Sequence, residues 1–345
     1  MTSLLSRKAQ NLREVLVAFV LVVLGAVAIM VPVAYMIGSS FASRDTALLV
    51  PQSMVPYEAK RAVIDGKPQF VYQVPDGHGG TREMAVVDRK QGTWVYADLD
   101  HPSTRIESPA LGPESRVLAP SLHFTNFGEV MSVIPMARYL VNTLVMITLI
   151  TIGTLLSNVM VAYGFARFRM RGLGILFAVL MATIMLPSQI TLIPTFVLFK
   201  ALGWNNSWIP LILPAFFANA WNVFLIRQFL MGIPKEFDEA AKIDGCGPLR
   251  TLLLVLLPQL KPILITVTLF TMIYVWNDFF NPLIYLQDPN LYPVSLGLQA
   301  FNSLHGSFGY LNAAASLMLA LPPVIVFFFC QKYFIQGTVV SGIKG

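Results

Sequence analysis

At 345 residues the chain is 55% hydrophobic and only 12% charged, whereas about a quarter of the residues of a soluble globular protein are charged. With a mean hydropathy of +0.65 it reads as an integral membrane protein. The net charge of +6 is gathered in particular loops with no basic domain, which excludes nucleic-acid binding as the main role.

Arg7, Lys8 and Arg13 precede an apolar run from about Val15 to Met36. The run is longer than a signal-peptide core and sufficient to cross a bilayer. Basic residues ahead of it place the N-terminus in the cytoplasm. Residues 42–130 differ in kind, with eleven acidic and nine basic residues and no apolar run of spanning length. Phe70, Tyr72 and Val74 alternate as a strand does, as do Trp94 and Tyr96, and Asp65-Gly66, Asp76 to Gly80 and Gln91-Gly92 are turn signals. These features predict a small antiparallel β-rich insertion over about Val55 to Asp98, followed by a Pro/Ser-containing linker to about Pro120. The insertion lies outside the cytoplasm if the first run spans.

A second run, about Tyr139 to Phe165, ends at Arg167, Arg169 and Arg171, the mark of a cytoplasmic turn. A third, about Gly174 to Leu202, contains Pro187 and Pro194 and predicts a kinked, packed helix. The loop from Gly203 to Ser207 is then external; its Asn205-Asn206-Ser207 sequon is too short to carry weight. A fourth run, about Trp208 to Leu230, leads into a basic cluster of Arg227, Lys235, Lys242, Arg250 and Lys261.

Within that cluster lies Ile233 to Pro258, reading IPKEFDEAAKIDGCGPLRTLLLVLLP. Pro234 suits a first helical position, Glu236, Asp238 and Glu239 suit the positive end of a helix dipole, and Gly245 suits the residue past its end. A helix of about ten residues, or about 15 Å, is predicted, then a turn, then a second helix from Pro248. On the first helix Phe237, Ala240, Ala241 and Asp244 share one face, whose two methyl-only positions permit close approach.

The order Glu239-Ala240-Ala241, then Gly245, Val255 and Leu257-Pro258 resembles the "EAA" loop of the membrane subunits of binding-protein-dependent ABC importers. Val255 stands where that family usually has Ile. The resemblance implies that this helix couples the permease to an ATPase subunit through Glu239, Ala240, Ala241, Asp244, Gly245, Leu257 and Pro258. It also implies that the chain is not an enzyme and holds no cofactor, ATP being bound by the partner ATPase. Weaker likenesses extend from about Phe124 to Gly345: Tyr139-Leu140-Val141-Asn142-Thr143, Met185-Leu186-Pro187, Trp276-Asn277-Asp278-Phe279 and the ending Gln336-Gly337-Thr338 to Gly345. They resemble the smaller permease subunit of maltose-type carbohydrate importers, which usually has a shorter segment after its first span. In that family the smaller subunit's tail reaches the ATPase dimer, and Gly337, Gly342 and Gly345 would permit an extended chain there.

A fifth run, about Pro262 to Leu286, carries Tyr274, Trp276, Asn277 and Asp278, candidates for a translocation pathway because polar groups within spans are costly. Packing or an interfacial aromatic belt would account for them equally. The loop from Gln287 to Gly309 lacks Lys and Arg and reads as external; a sixth run spans about Leu311 to Phe334. Cys246 and Cys330 fall in different segments, which argues against a disulfide, and His78, His101, His123 and His305 are scattered, so no metal site is indicated.

The fold expected is an all-α polytopic membrane protein of about six spans with the β-rich insertion between the first two. Its divisions are residues 1–41 (N-terminus and first span), 42–130 (extracytoplasmic insertion), 131–336 (five-helix permease core with coupling loop 233–258) and 337–345 (tail). The expected partners are an ABC ATPase dimer, a second and paralogous permease, an extracytoplasmic substrate-binding protein and the lipid bilayer. The expected place is a bacterial or archaeal inner membrane, with both termini cytoplasmic. The function expected is ATP-driven import of sugars or oligosaccharides; the alternatives are an ABC importer of another solute and an ion-gradient-driven secondary transporter.

Overall fold

The computed structural model describes residues 2–50, 53–76, 80–90, 92–304 and 309–342. His78, Gln91, His305, Lys344 and Gly345, which figure in the expectations above, lie outside the described residues. Two compact units are separable, Met1–Val133 with Phe301–Met318 and Ile134–Ala300 with Leu319–Gly345.

The first unit opens with helix α1 (Thr2–Ser40), whose Glu14–Ser40 portion is long and apolar enough to span a membrane. Its end is held by Asn126, a buried amide that donates to Ser40 O and Ala42 O at 2.9 Å each. The first is a carbonyl that a helix terminus leaves unpaired. Ser43 then caps the short α2 (Arg44–Leu49) by accepting from Thr46 N.

Strand β1 (Tyr57–Ala59) leads into β2 (Arg61–Ile64), β3 (Lys67–Pro75), β4 (Thr81–Arg89), β5 (Thr93–Asp98) and β6 (Arg105–Pro109), an antiparallel meander paired in that order from β2 to β6. Asp65 and Gly66 both adopt positive φ, +51° and +72°, as a two-residue hairpin turn requires. Tyr72, Val74, Met84, Val86 and Tyr96 bury one face; Ile64, Ala85 and Ala97 bury the other. An Asp65–Arg105 ion pair at 3.0 Å joins the two edge regions of the sheet.

The β-rich region is larger than the alternation pattern predicts, a two-stranded sheet of β1 with a later strand standing apart from the five-stranded meander. β6 and β7 (Leu118–Pro120) occupy the stretch expected to be a linker, β7 pairing with β1. Each is short and rich in Pro or Ser, so its local sequence signals a loop, and the long-range partner supplies the pairing. A cation–π contact of Arg116 over Phe70 at 4.3 Å and the Arg116–Asp45 ion pair fasten this return to the sheet and to α2. Helix α3 (Thr125–Val133) comes next.

The second unit is helical. It contains α4 (Met136–Arg167), α5 (Leu173–Ala182), α6 (Ser188–Ala201), α7 (Ile209–Ile212), α8 (Ala220–Gly232), α9 (Glu236–Ile243), α10 (Pro248–Arg250), α11 (Lys261–Asn277), α12 (Phe280–Tyr285) and most of α13 (Val294–Leu304). Helix α14 (Gly309–Gly342) completes the chain. Among the described residues, four helical stretches are long and apolar enough to span, or up to six if each of two sharply bent pairs is one span. That is the helical membrane fold expected.

The bends fall at prolines. Leu186 takes the extended conformation (ψ 115°) that a following proline imposes, so the third run breaks at Leu186-Pro187 while Pro194 stays inside α6. The helix from Pro248 continues as a π-helical segment, Thr251–Leu256, closed by Leu257 N donating to Leu252 O. Pro258 has no N–H with which to continue it, and the chain turns 86° into α11. The fifth run ends as a helix at Asn277, not at Leu286, because Asp278 leaves helical geometry before α12. At the C-terminus the helix runs on to Gly342, so Gly337 and Gly342 sit in helix where an extended tail was expected.

Candidate coupling surface and cavity

α9 is defined by charge at its start and by a glycine at its end. Gly245 adopts φ +76°, Cys246 N donates to Ala241 O at 2.8 Å, and Gly245 N donates to Lys242 O at 3.0 Å. This is a Schellman closure. Ala241 turns inward and is buried, whereas Glu239, Ala240, Asp244 and Gly245 are exposed together with the apolar Phe237 and Ile243. The two alanines therefore do not act as one approach surface: Ala240 faces solvent and Ala241 packs inside the protein. Leu257 and Pro258 lie at the 86° corner, the first half-buried and the second exposed.

The loop rests on a rigid base. Val159 and Tyr163 of α4, Val223, Ile226 and Leu230 of α8, and Leu252, Leu256 and Leu260 from the segment after α9 form one buried cluster. The last turn of α4 holds both limbs of the loop. Arg167 Nε lies 3.1 Å from Asp238 Oδ2, Arg167 Nη2 donates to Ile233 O at 2.9 Å, and Tyr163 OH donates to Pro248 O at 3.2 Å. Sequence reasoning read Arg167 only as a topology signal, and nothing local marks it as the partner of Asp238, which lies in another helix.

The same unit holds a half-open cavity of about 670 Å³. Of the four pathway candidates, Tyr274 and Asp278 line it; Trp276 and Asn277 do not. Trp276 is buried and its indole N–H donates to Leu319 O at 2.9 Å, and the Asn277 amide returns to Ile273 O of its own helix. Asp278 Oδ1 accepts from Asn281 N and Oδ2 from Asn281 Nδ2, so the carboxylate fixes the break between α11 and α12. Asn219, from the break that precedes α8, and Trp221 and Asn222, from the first turn of α8, also line the cavity; they were not singled out from sequence because they sit in an apolar run. Among the described lining residues there is no Lys, Arg or His, and Asp278 is the one charge.

Residues 158–339 match the family described as "Binding-protein-dependent transport system inner membrane component". The chain belongs to this family. As a member it is a non-catalytic, multi-pass membrane subunit of an ABC transporter, which removes the ion-gradient alternative. It is 32% identical over 211 residues to "Probable ABC transporter permease protein YurM" of Bacillus subtilis (strain 168), covering 61% of this chain and 70% of that one. It is 31% identical over 208 residues to "Arabinooligosaccharides transport system permease protein AraQ" of the same organism, covering 60% and 74%. It is 30% identical over 250 residues to "sn-glycerol-3-phosphate transport system permease protein UgpE" of Yersinia pestis bv. Antiqua (strain Antiqua), covering 72% and 89%.

A solved chain from "a bacterial ABC transporter involved in the import of the acidic polysaccharide alginate" shares the fold at a TM-score of 0.64 and 21% identity, covering 92% of this chain and 95% of that one. The β-rich segment lies outside the family match, but at 92% coverage most of it falls within the shared fold.

Proposed function

We propose that this permease subunit imports neutral sugars or short oligosaccharides, paired with a second, paralogous permease, by alternating access. An extracytoplasmic binding protein delivers the solute. ATP binding closes the ATPase dimer, the motion enters through α9, and the cavity opens outward; hydrolysis resets it. Glu239, with Phe237 and Ile243 beside it, contacts the ATPase, and the Arg167–Asp238 pair passes the displacement to α4. Both termini and the 233–258 loop lie in the cytoplasm and the β-rich insertion outside, as the distribution of Arg and Lys on short loops argues. The insertion docks the binding protein.

The observation that carries the substrate class is the cavity lining. Tyr274 and Trp221 offer aromatic faces, Asn219, Asn222 and Asn281 offer amides, and Asp278 is a carboxylate with no Lys, Arg or His among the described lining residues. A phosphate or uronate would be repelled there, whereas sugar hydroxyls suit amides and aromatic faces. The relatives include an arabinooligosaccharide and a glycerol-phosphate permease by name, and the lining favours the former chemistry. The test is uptake by the complete transporter in proteoliposomes with internal ATP. Import of neutral oligosaccharides, lost on Glu239→Lys, supports the reading; import of only phosphorylated or acidic solutes overturns the substrate class.

A further inference from the structure

The run that ends in α8 is not one helix. α7 passes into a 3₁₀ turn (Leu213–Phe216), Phe217 to Asn219 are extended, and α8 starts at Ala220. Non-helical backbone at this depth leaves amides and carbonyls without their helical partners, which is costly unless other groups take them up. Asn219 caps α8, its Oδ1 accepting from Asn222 N at 2.9 Å.

Two groups of the break, Asn219 N and Ala215 O, are met from α4. Asn158, fully buried at 0% exposure, accepts from Asn219 N through Oδ1 at 3.0 Å. Its Nδ2 donates to Thr154 O at 2.7 Å, which fixes the amide's orientation. One residue earlier, Ser157 Oγ lies 2.8 Å from Gly153 O and 3.0 Å from Ala215 O; its single hydrogen serves one carbonyl at a time. Gly153 completes the seat, since a Cβ there would meet the Phe216 ring at 2.7 Å. A buried asparagine in a span is costly unless satisfied, and here both ends of the amide are used.

We infer that Asn158 is a positioning residue of the permease: by accepting the Asn219 N–H it holds the break before α8 open, so that Asn219, Trp221 and Asn222 face the cavity. Winding residues 217–219 into helix would shorten the rise from about 3.3 Å to about 1.5 Å per residue and reset the rotational phase of α8, so the polar first turn of α8 would shift along and around the cavity wall. Ser157 assists by steadying the Ala215 carbonyl on the other side of the break. The inference rests on the reading of the cavity as the solute pathway, yet its geometry can be tested apart from transport.

The experiment introduces Asn222→Cys in a Cys246→Ser, Cys330→Ser background of the assembled transporter and measures the rate at which the new thiol is labelled by a water-soluble methanethiosulfonate. With Asn158 present the thiol labels readily. Asn158→Leu slows labelling about tenfold or more, equivalent to at least about 1.4 kcal/mol against the exposed state, while the complex still retains its ATPase subunit. Asn158→Ala removes the same acceptor without adding bulk and is used if the leucine variant does not assemble. Labelling at the parental rate in whichever variant assembles overturns the inference, and so does failure of both to assemble, which would make Asn158 a packing residue only. A neutral oligosaccharide that the parent transports should shield the introduced thiol. Absence of shielding counts against the pathway reading and leaves the Asn158 result to be judged from the labelling rates.

Discussion

Arg167 and Asp238 lie 71 positions apart in the chain and 3.1 Å apart in space, with the arginine side chain only 7% exposed. The same guanidinium donates to Ile233 O, so one cation fixes both the α9 carboxylate and the backbone that enters the loop. A charge this buried depends on its partner, and removing one member leaves the other uncompensated.

Asp238→Ala should therefore lower stability by roughly 1–3 kcal/mol, the range for leaving a buried polar group without its partner. It should reduce uptake more than ATPase binding, because α9 keeps its exposed face but loses its tie to α4. Uptake and ATPase co-purification measured together check this. The exchange Arg167→Asp with Asp238→Arg should recover part of the loss, and a double variant no better than either single one would argue against direct coupling through the pair.

Gly245→Ala should cost about 1–2 kcal/mol, the penalty for an L-residue in left-handed geometry, because Gly245 stands at φ +76° with open space around it. Strain alone is expected, without a clash. A thermal shift of a few degrees accompanied by weaker ATPase retention is the expected pair of readings.

Tyr274 and Trp276 are two positions apart and should behave oppositely. Tyr274→Ala removes a cavity wall and should raise the KM for uptake with little effect on yield. Trp276→Phe removes the bond to Leu319 O, worth about 1 kcal/mol, and should lower thermal stability while leaving KM unchanged. Kinetics in proteoliposomes beside melting in detergent separate them.

Packing at the first turn of α4 gives a further check. A Cβ on Gly297 would overlap the ring of Tyr139, a buried residue. Gly297→Ala should destabilise by about 1–3 kcal/mol through overpacking, and Tyr139→Leu in the same chain should relieve part of that loss. Melting temperatures of the two single variants and the double one decide it.

In the β-rich segment, Asp98 Oδ1 accepts from Asp100 N and His101 N, and these bonds hold its carboxyl below the usual aspartate value. A depressed folded value means that its contribution is present above the unfolded value and is lost as pH falls through the folded one. Carboxyl-carbon NMR should show Asp98 titrating after exposed carboxylates as the solution is acidified, and Asp98→Asn should remove that late transition.

The sequence by itself determined whatever depends on neighbours within a few positions. The apolar runs, the acidic start and glycine end of α9, the Asp65-Gly66 hairpin and the alternation of Tyr72, Val74, Trp94 and Tyr96 are set by local sterics, helix dipole and periodicity. Only the tertiary structure decided which side of each element faces what. Ala240 and Ala241 are indistinguishable in sequence, yet one is exposed and one buried because α9 packs on the segment after it. Trp276 turns to Leu319 while Tyr274 turns to the cavity. β6 and β7 carry loop-like residues and become strands because β5 and β1 offer unpaired edges. Asn158 reads as one polar residue in an apolar span until Asn219, 61 positions away, brings it the amide it accepts. Such pairings close long loops, and their free energy resides in partners that no local window contains.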